Sequence, residues 1–173
     1  LTQCFAAAID LDFRDRDLAY EIPGKGRFRV NISRQRRRFD IVVRVIPPQV
    51  PAFAELNLPV TLGEIATLRR GQVLVTGATG MGKSTTIASL IDLINRERKA
   101  KIVTIEDPVE FYHPHLKSII NQREVGVDTM SYARALKASL REAPDVILIG
   151  EIRDRVTMEA AMELANTGHL AIS

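Results

Sequence analysis

Cysteine is nearly absent from this 173-residue chain, with Cys4 the only one. One thiol cannot close an intramolecular disulfide, and such a composition suits a reducing compartment. No apolar run approaches the roughly 18 residues that a membrane-spanning helix needs. The early residues include Asp10 and Asp12 and lack a basic flank joined to an apolar stretch, so no signal peptide is expected. Ten glycines and eight prolines follow no period, which excludes collagen-like and low-complexity chains. Aromatics make up only 5% of the residues, few for a protein that stacks single-stranded bases. What remains is ordinary: 46% apolar and 26% charged residues, as in one globular domain or one plus a remnant. The expectation is a cytoplasmic globular chain.

The net charge of +3 is unevenly spread. Residues 1–50 hold ten Lys and Arg against six Asp and Glu, while residues 51–173 hold fourteen against fifteen. Much of the early excess lies in Arg34, Arg36, Arg37 and Arg38. Such a cluster can meet nucleic acid, anionic lipid or an acidic protein face, and it reads equally as the solvated tip of a hairpin.

Periodicity divides the chain. Leu18, Tyr20 and Ile22 alternate with polar neighbours, as do Phe28, Val30 and Ile32, and then Phe39, Ile41, Val43 and Val45. Period two, with Pro23-Gly24-Lys25-Gly26 and the Arg-rich stretch between the runs, predicts an antiparallel meander with one buried face over residues 1–46. Pro47, Pro48, Pro51 and Pro59 then make residues 47–59 a stiff linker, with a short turn of helix at Ala52–Leu56. From Val60 to Ser173 strand and helix patterns alternate. Strands are expected at Gln72–Thr76, Lys101–Ile105, Val146–Ile149 and Leu170–Ile172. Helices are expected near Leu62–Leu68, at Lys83–Glu97, near Ser131–Arg141 and at Arg155–Asn166. This is the signature of an α/β domain whose mainly parallel sheet is covered on both faces.

Gly77-Ala78-Thr79-Gly80-Met81-Gly82-Lys83-Ser84 matches the phosphate-loop pattern G-x-x-x-x-G-K-[ST] without departure. Glycines let successive N–H groups curl inward around a phosphate chain. The following helix adds its positive end, Lys83 a mobile cation for the β- and γ-phosphates, and Ser84 a hydroxyl for magnesium. Thr85 continues the binding segment. The loop sits between a predicted strand and a predicted helix, the context that the motif requires. Its spacing is not that of a dinucleotide fingerprint.

Ligands of an open parallel sheet sit at the carboxyl ends of the strands. Glu106, Asp107 and Glu110 follow one predicted strand there, with Pro108 turning the chain, and Glu151 follows another. A nucleotide triphosphatase needs one carboxylate near magnesium and one to orient water. Loop capping or ion pairs to Arg153 and Lys101 are the structural alternative for each. His169 stands alone at the start of the last strand, and His113 and His115 flank Pro114 without the further ligands that a zinc site needs.

The chain resembles the type IV pilus twitching-motility ATPases of the PilT/PilU group, within the secretion-ATPase superfamily. Gly26–Asn31 resembles the end of that family's PAS-like N-terminal domain, and Thr76–Ser84 its Walker A motif. Thr104–Phe111 resembles its aspartate box, Asn121–Val125 the stretch that follows, Pro144–Asp154 its Walker B region and Thr167–Leu170 the opening of its histidine box. The resemblance implies a RecA-like ATPase core behind a partial PAS-like domain, ATP and Mg2+ as ligands, and residues 1–173 as an internal fragment. It implies Glu151 at the metal, Glu110 as general base supported by Glu106 and Asp107, and His169 on the γ-phosphate side. Arg27, Arg29 or Arg44 would reach a neighbouring subunit's nucleotide. It also implies a hexameric ring at the cytoplasmic face of the inner membrane, working on a polytopic platform protein without entering the bilayer, and powering pilus retraction. A pilus-extension or type II secretion ATPase, a nucleic-acid-translocating RecA-like ATPase and a nucleotide-sensing partner of another motor remain the alternatives. A long N-terminal extension or a tetracysteine zinc insertion would favour the first, and neither appears in these 173 residues.

Overall fold

A computed structural model describes residues 15–173, so Cys4, Asp10 and Asp12 lie outside the described residues. The contacts within the chain divide it into two units at Ile46 and Pro47.

In the first unit, β1 (Asp15–Ile22), β2 (Gly26–Gln35) and β3 (Arg38–Ile46) form an antiparallel sheet in that order. The register pairs Leu18 with Val30, Tyr20 with Phe28, Val30 with Val43 and Ile32 with Ile41. The apolar positions of all three strands therefore share one face, as the alternation predicts. Burial on that face is graded: Val30 and Ile32 are fully enclosed, while Val45 on β3 is 67% exposed. The period fixes which residues share a face and leaves open how well that face is covered. The β2–β3 turn places Arg36 and Arg37 at φ values of 48° and 66°. Two left-handed residues are what a tight hairpin turn demands, and two arginines adopt them here in place of the usual Asn-Gly. Arg34 lies over the Phe39 ring at 5.5 Å, closing the tip.

In the second unit, a single turn of 3-10 helix at Phe53–Leu56 precedes α1 (Val60–Glu64), which tightens into a further turn at Ile65–Thr67. Then come β4 (Gly71–Val73), α2 (Lys83–Glu97), β5 (Lys101–Glu106), β6 (Ile119–Glu124), α3 (Tyr132–Ser139), β7 (Val146–Ile149), α4 (Arg155–Asn166) and β8 (Leu170–Ile172). The five strands are all parallel, in the order β4-β8-β7-β5-β6. Alternation sorts them between two cores. Ile102, Val146, Leu148, Leu170 and Ile172 meet Ile87, Leu90, Ile91 and Ile94 of α2. Val103, Ile105, Ile147 and Ile149 meet Ala135 and Leu136 of α3 and Ala161 and Leu164 of α4. Helices on both faces bury the sheet, as parallel strands require.

β6 escapes the sequence pattern for a physical reason. It is an edge strand, and its sheltered positions carry Gln122 and Glu124 beside Ile120, so no apolar alternation marks it. Its polar groups are instead consumed by hydrogen bonds, Glu124 accepting from Val109 N at 3.0 Å and Gln122 donating to the Phe111 carbonyl at 2.8 Å. Among the described residues no helix is long and apolar enough to cross a membrane.

Ile147 is fully enclosed, whereas Ile119 on β6 is 61% exposed. Ile147→Ala should cost about 2–5 kcal/mol of stability, and Ile119→Ala less than about 1 kcal/mol. Denaturant midpoints of the two variants check this ordering, and equal losses would contradict the layer assignment.

Candidate functional site

All five strands point their carboxyl ends to one edge, and the site is built there. β4 proper stops at Val73, but Val75 N donates to the Ser173 carbonyl at 2.7 Å and Ser173 N to the Val73 carbonyl at 3.0 Å. The ladder thus carries the chain to the threshold of Gly77. Gly80 and Gly82 both adopt φ of 82°, a left-handed conformation that a side chain would strain. α2 begins at once behind Gly82, and no side chain caps it. Its first internal bond is from Thr86 N to the Gly82 carbonyl at 2.8 Å. The N–H groups of Lys83, Ser84 and Thr85 precede that bond and face out of the helix end. No acidic residue stands in the first turn. The Lys83 ammonium reaches back over the loop, donating to the carbonyls of Gly77 at 2.8 Å and Ala78 at 2.9 Å. Backbone donors, the positive helix end and a cation therefore converge, which is the donor set that a phosphate chain takes.

Carboxylates stand on the same edge, at the ends of strands across β8 from the loop. Thr104 hydroxyl donates to Glu106 at 2.7 Å, and Gln122 and the Glu110 N–H approach it at 3.4 Å each. Desolvation nevertheless raises the Glu106 pKa above the ordinary carboxylate value, opposed by those hydrogen bonds and aided by the Glu110 charge. The contact from Glu110 N shows that the turn after β5 folds back as the sequence leads one to expect. Glu124 holds the same turn through Val109 N. Glu151, at the end of β7, is paired with Arg153 at 2.7 Å. The Arg153 side chain is 75% exposed, so that pair is worth only about 0–1 kcal/mol and is easily exchanged.

Sequence reasoning placed Thr104 and Gln122 inside motif segments without giving them a role, and did not reach Tyr132. Tyr132, the first residue of α3, packs on the core beneath β5 and β7. Its hydroxyl is buried with no hydrogen-bond partner. A buried hydroxyl left unsatisfied costs about 1–3 kcal/mol, so its position calls for a reason. Burial first, and then the charges of Glu151, Asp107 and Glu106, drive its pKa far upward, with Arg153 opposing. Gly150 makes room: a Cβ there would lie 3.2 Å from the tyrosine hydroxyl, from the Glu106 Cα and from the Ile105 carbonyl. Neither Tyr132 nor Thr104 carries a local signal, because their meeting with the acids depends on sheet register. Gln122 had one, a polar residue at a sheltered strand position.

His169 is not brought to this edge. Its carbonyl accepts from Gly71 N at 3.0 Å, and Leu170 pairs with Gly71, so His169 sits at the amino ends of β4 and β8. The phosphate loop leaves the opposite end of β4. The His169 ring instead lies 3.1 Å from the Thr167 hydroxyl and the Leu164 carbonyl, closing the end of α4. In the first unit, Arg29 and Arg44 face each other across β2 and β3, and Arg27 pairs in register with Ile46. These three lie on the strand face opposite Phe28 and Val30.

The chemistry of the donor set fits magnesium in the manner of a nucleotide site. Among the described residues no cluster of three or more His, Cys, Asp or Glu could cage a metal, and a magnesium ion that keeps its waters and phosphate ligands needs only one or two protein groups. Ser84 at the helix start and Glu151 at the strand end are groups of the kind such an ion takes.

Comparisons with known proteins show what the chain as a whole is similar to. The family described as Type II/IV secretion system protein matches residues 18–173. The chain is 46% identical over 159 residues to the type IV pilus retractation ATPase PilT of Pseudomonas aeruginosa, covering 92% of this chain and 46% of that protein. It is 51% identical over 154 residues to a twitching motility protein of Neisseria gonorrhoeae, covering 89% of this chain and 41% of that one. A crystal structure of the pilus retraction motor PilT with bound ADP superposes with a TM-score of 0.91 at 46% identity, over 99% of this chain and 52% of that chain. The chain therefore spans about half the length of the relatives it matches.

The Glu106 environment gives a signed pH test. The folded protein holds the Glu106 proton to higher pH than the unfolded chain does, so stability falls as pH rises from the ordinary Glu range through the raised value. Glu106→Gln removes that loss. The thermal midpoint of the variant minus that of the parent should grow from about pH 4 toward neutrality. A difference that stays flat with pH would contradict the burial-driven shift.

Proposed function

Because this chain belongs to the Type II/IV secretion system protein family, we propose that it is the nucleotide-binding portion of an ATP-hydrolysing motor subunit that retracts type IV pili. One observation carries the reading: an uncapped helix start with a phosphate loop and Lys83 shares a sheet edge with Glu106, Glu110 and Glu151. The similarity to a retraction ATPase over 92% of the chain, and to an ADP-bound motor in structure, supports the same assignment.

The loop N–H groups and the start of α2 bind the phosphates. Phosphate oxygens, being charged, are stronger acceptors than the neutral carbonyls of Gly77 and Ala78, so Lys83 transfers to them when nucleotide enters. Ser84 and Glu151 would hold magnesium, which would supply charge neutralisation for the phosphates. Glu110 orients the attacking water and accepts its proton. Glu106 serves Glu110 as a fixed point: its oxygens are taken up by Thr104, Gln122 and the Glu110 N–H, so it holds the turn in place.

Residues 1–46 act as a partial PAS-like domain, 47–59 as a stiff linker and 60–173 as the RecA-like core. Arg29 and Arg44, opposed like charges across two strands, are unfavourable together and would be relieved by an anion. We assign them, with Arg27, to the nucleotide of a neighbouring subunit in a hexameric ring. An arginine supplied from a neighbour is worth ~10³–10⁵ in rate, so turnover depends on assembly. The ring works at the cytoplasmic face of the inner membrane on a polytopic platform protein. His169, at the far end of β8, belongs to the support of α4 within its own subunit.

In the full-length protein, Lys83→Ala should abolish ATP turnover together with nucleotide binding. Glu110→Gln should keep binding while kcat falls at least a hundredfold, on the scale of a lost general base, ~10²–10⁴. Steady-state kinetics and equilibrium ADP binding check both. Parental turnover in Lys83→Ala would overturn the assignment.

A further inference from the structure

Among the described residues two buried side-chain polar atoms lack a partner, His113 Nδ1 and the Tyr132 hydroxyl, and the second is the one beside the strand-end acids. The Tyr132 hydroxyl is enclosed, has no partner, and lies 3.2 Å from where a Cβ on Gly150 would stand, one residue before Glu151. Four charged groups act on it electrostatically: Glu151, Asp107, Glu106 and Arg153. Glu106 is already committed, accepting from Thr104 and Gln122 on one oxygen and from Glu110 N on the other. Asp107 is exposed. Glu151 is half-buried and held on one oxygen by an exposed arginine, a weak and replaceable bond. It is the acceptor on this edge that the proposed reading assigns to the metal.

We propose that Tyr132 is a positioning residue for Glu151, its hydroxyl donating to that carboxylate when Glu151 leaves Arg153 for the metal side of the phosphate loop. The inference rests on the nucleotide reading above. It gives Glu151 two alternative partners: Arg153 toward solvent and Tyr132 toward the sheet. A neutral phenol suits the inner one, since it donates a single hydrogen bond without cancelling the charge that the metal needs. Its ring is fixed by packing at the start of α3, so the hydroxyl does not have to be ordered at the moment of use. Gly150 is the corresponding permissive residue, because a Cβ there would crowd the hydroxyl at 3.2 Å.

Tyr132→Phe keeps the ring and removes only the donor. In the full-length protein, binding of a fluorescent ADP analogue in EDTA should be unchanged. With magnesium titrated in, the variant should need roughly tenfold more metal for half of the metal-dependent binding gain, the size expected for one hydrogen bond to a charged group. The kcat for ATP should fall by a similar factor with KM little altered. Magnesium titrations and kcat identical to the parent's would overturn the proposal and leave the nucleotide reading standing. Equal weakening of binding with and without magnesium, together with a lower thermal midpoint, would also overturn it by reducing Tyr132 to packing. A parent protein whose ADP binding ignores magnesium would overturn the role of Tyr132 alone, and one that binds no ADP in either condition would overturn the nucleotide reading with it.

Discussion

Helix α2 starts at Gly82 with nothing to cap it, and the rest of the second unit is arranged to keep that bare end in place. A 15-residue helix leaves its first N–H groups unsatisfied wherever it begins, and most helices satisfy them with a side chain. Here the cap position is a left-handed glycine, which contributes no side chain and lets the loop curl back over the helix end. The cost is tolerable because the helix is held by other means. Ile87, Leu90, Ile91 and Ile94 are sealed against the strands, so the exposed positive end cannot fray away. The core on that face of the sheet is thus what makes an anion site at its edge possible.

The opposing partner is a set of carboxylates that would repel one another if left unsupported. Their environments are distinct. Glu106 is desolvated and locked, Glu110 sits on the turn that Glu106 anchors, and Glu151 is tethered loosely to an exposed arginine. A rigid acid, a positioned acid and a movable acid on neighbouring strand ends amount to a division of labour. In the proposed reading Glu151 moves to the metal, and the low value of its pair with Arg153 permits this. The buried Tyr132 hydroxyl supplies the inner stop for that movement.

How much of this could be read from residues alone follows from how local each feature is. The phosphate loop is eight contiguous residues whose geometry lies in their own backbone, and its start, its glycines and the bounds of α2 and α4 emerge where the sequence predicts. The parallel α/β core emerges too, since the two faces of each strand alternate in residue type. Features that depend on register do not emerge. β6 is invisible because Gln122 and Glu124 replace apolar residues on its sheltered positions. His169 reads as a neighbour of the phosphates through its motif, yet the pairing of Leu170 with Gly71 puts it at the other end of the sheet. Tyr132 carries no mark in its own segment, because α3 and β7 meet only in the folded chain. The apolar face of β3 illustrates a further gap: alternation names the face without revealing its cover.

The decisive measurement is a crystal structure of the full-length protein with magnesium and a non-hydrolysable ATP analogue. The account predicts the phosphates bonded to the N–H groups from Gly80 to Thr85. Lys83 should have left the carbonyls of Gly77 and Ala78 for the terminal phosphates, and Glu151 should have turned from Arg153 toward the metal. Phosphates bound elsewhere, with Lys83 still on those two carbonyls and Glu151 still on Arg153, would contradict it.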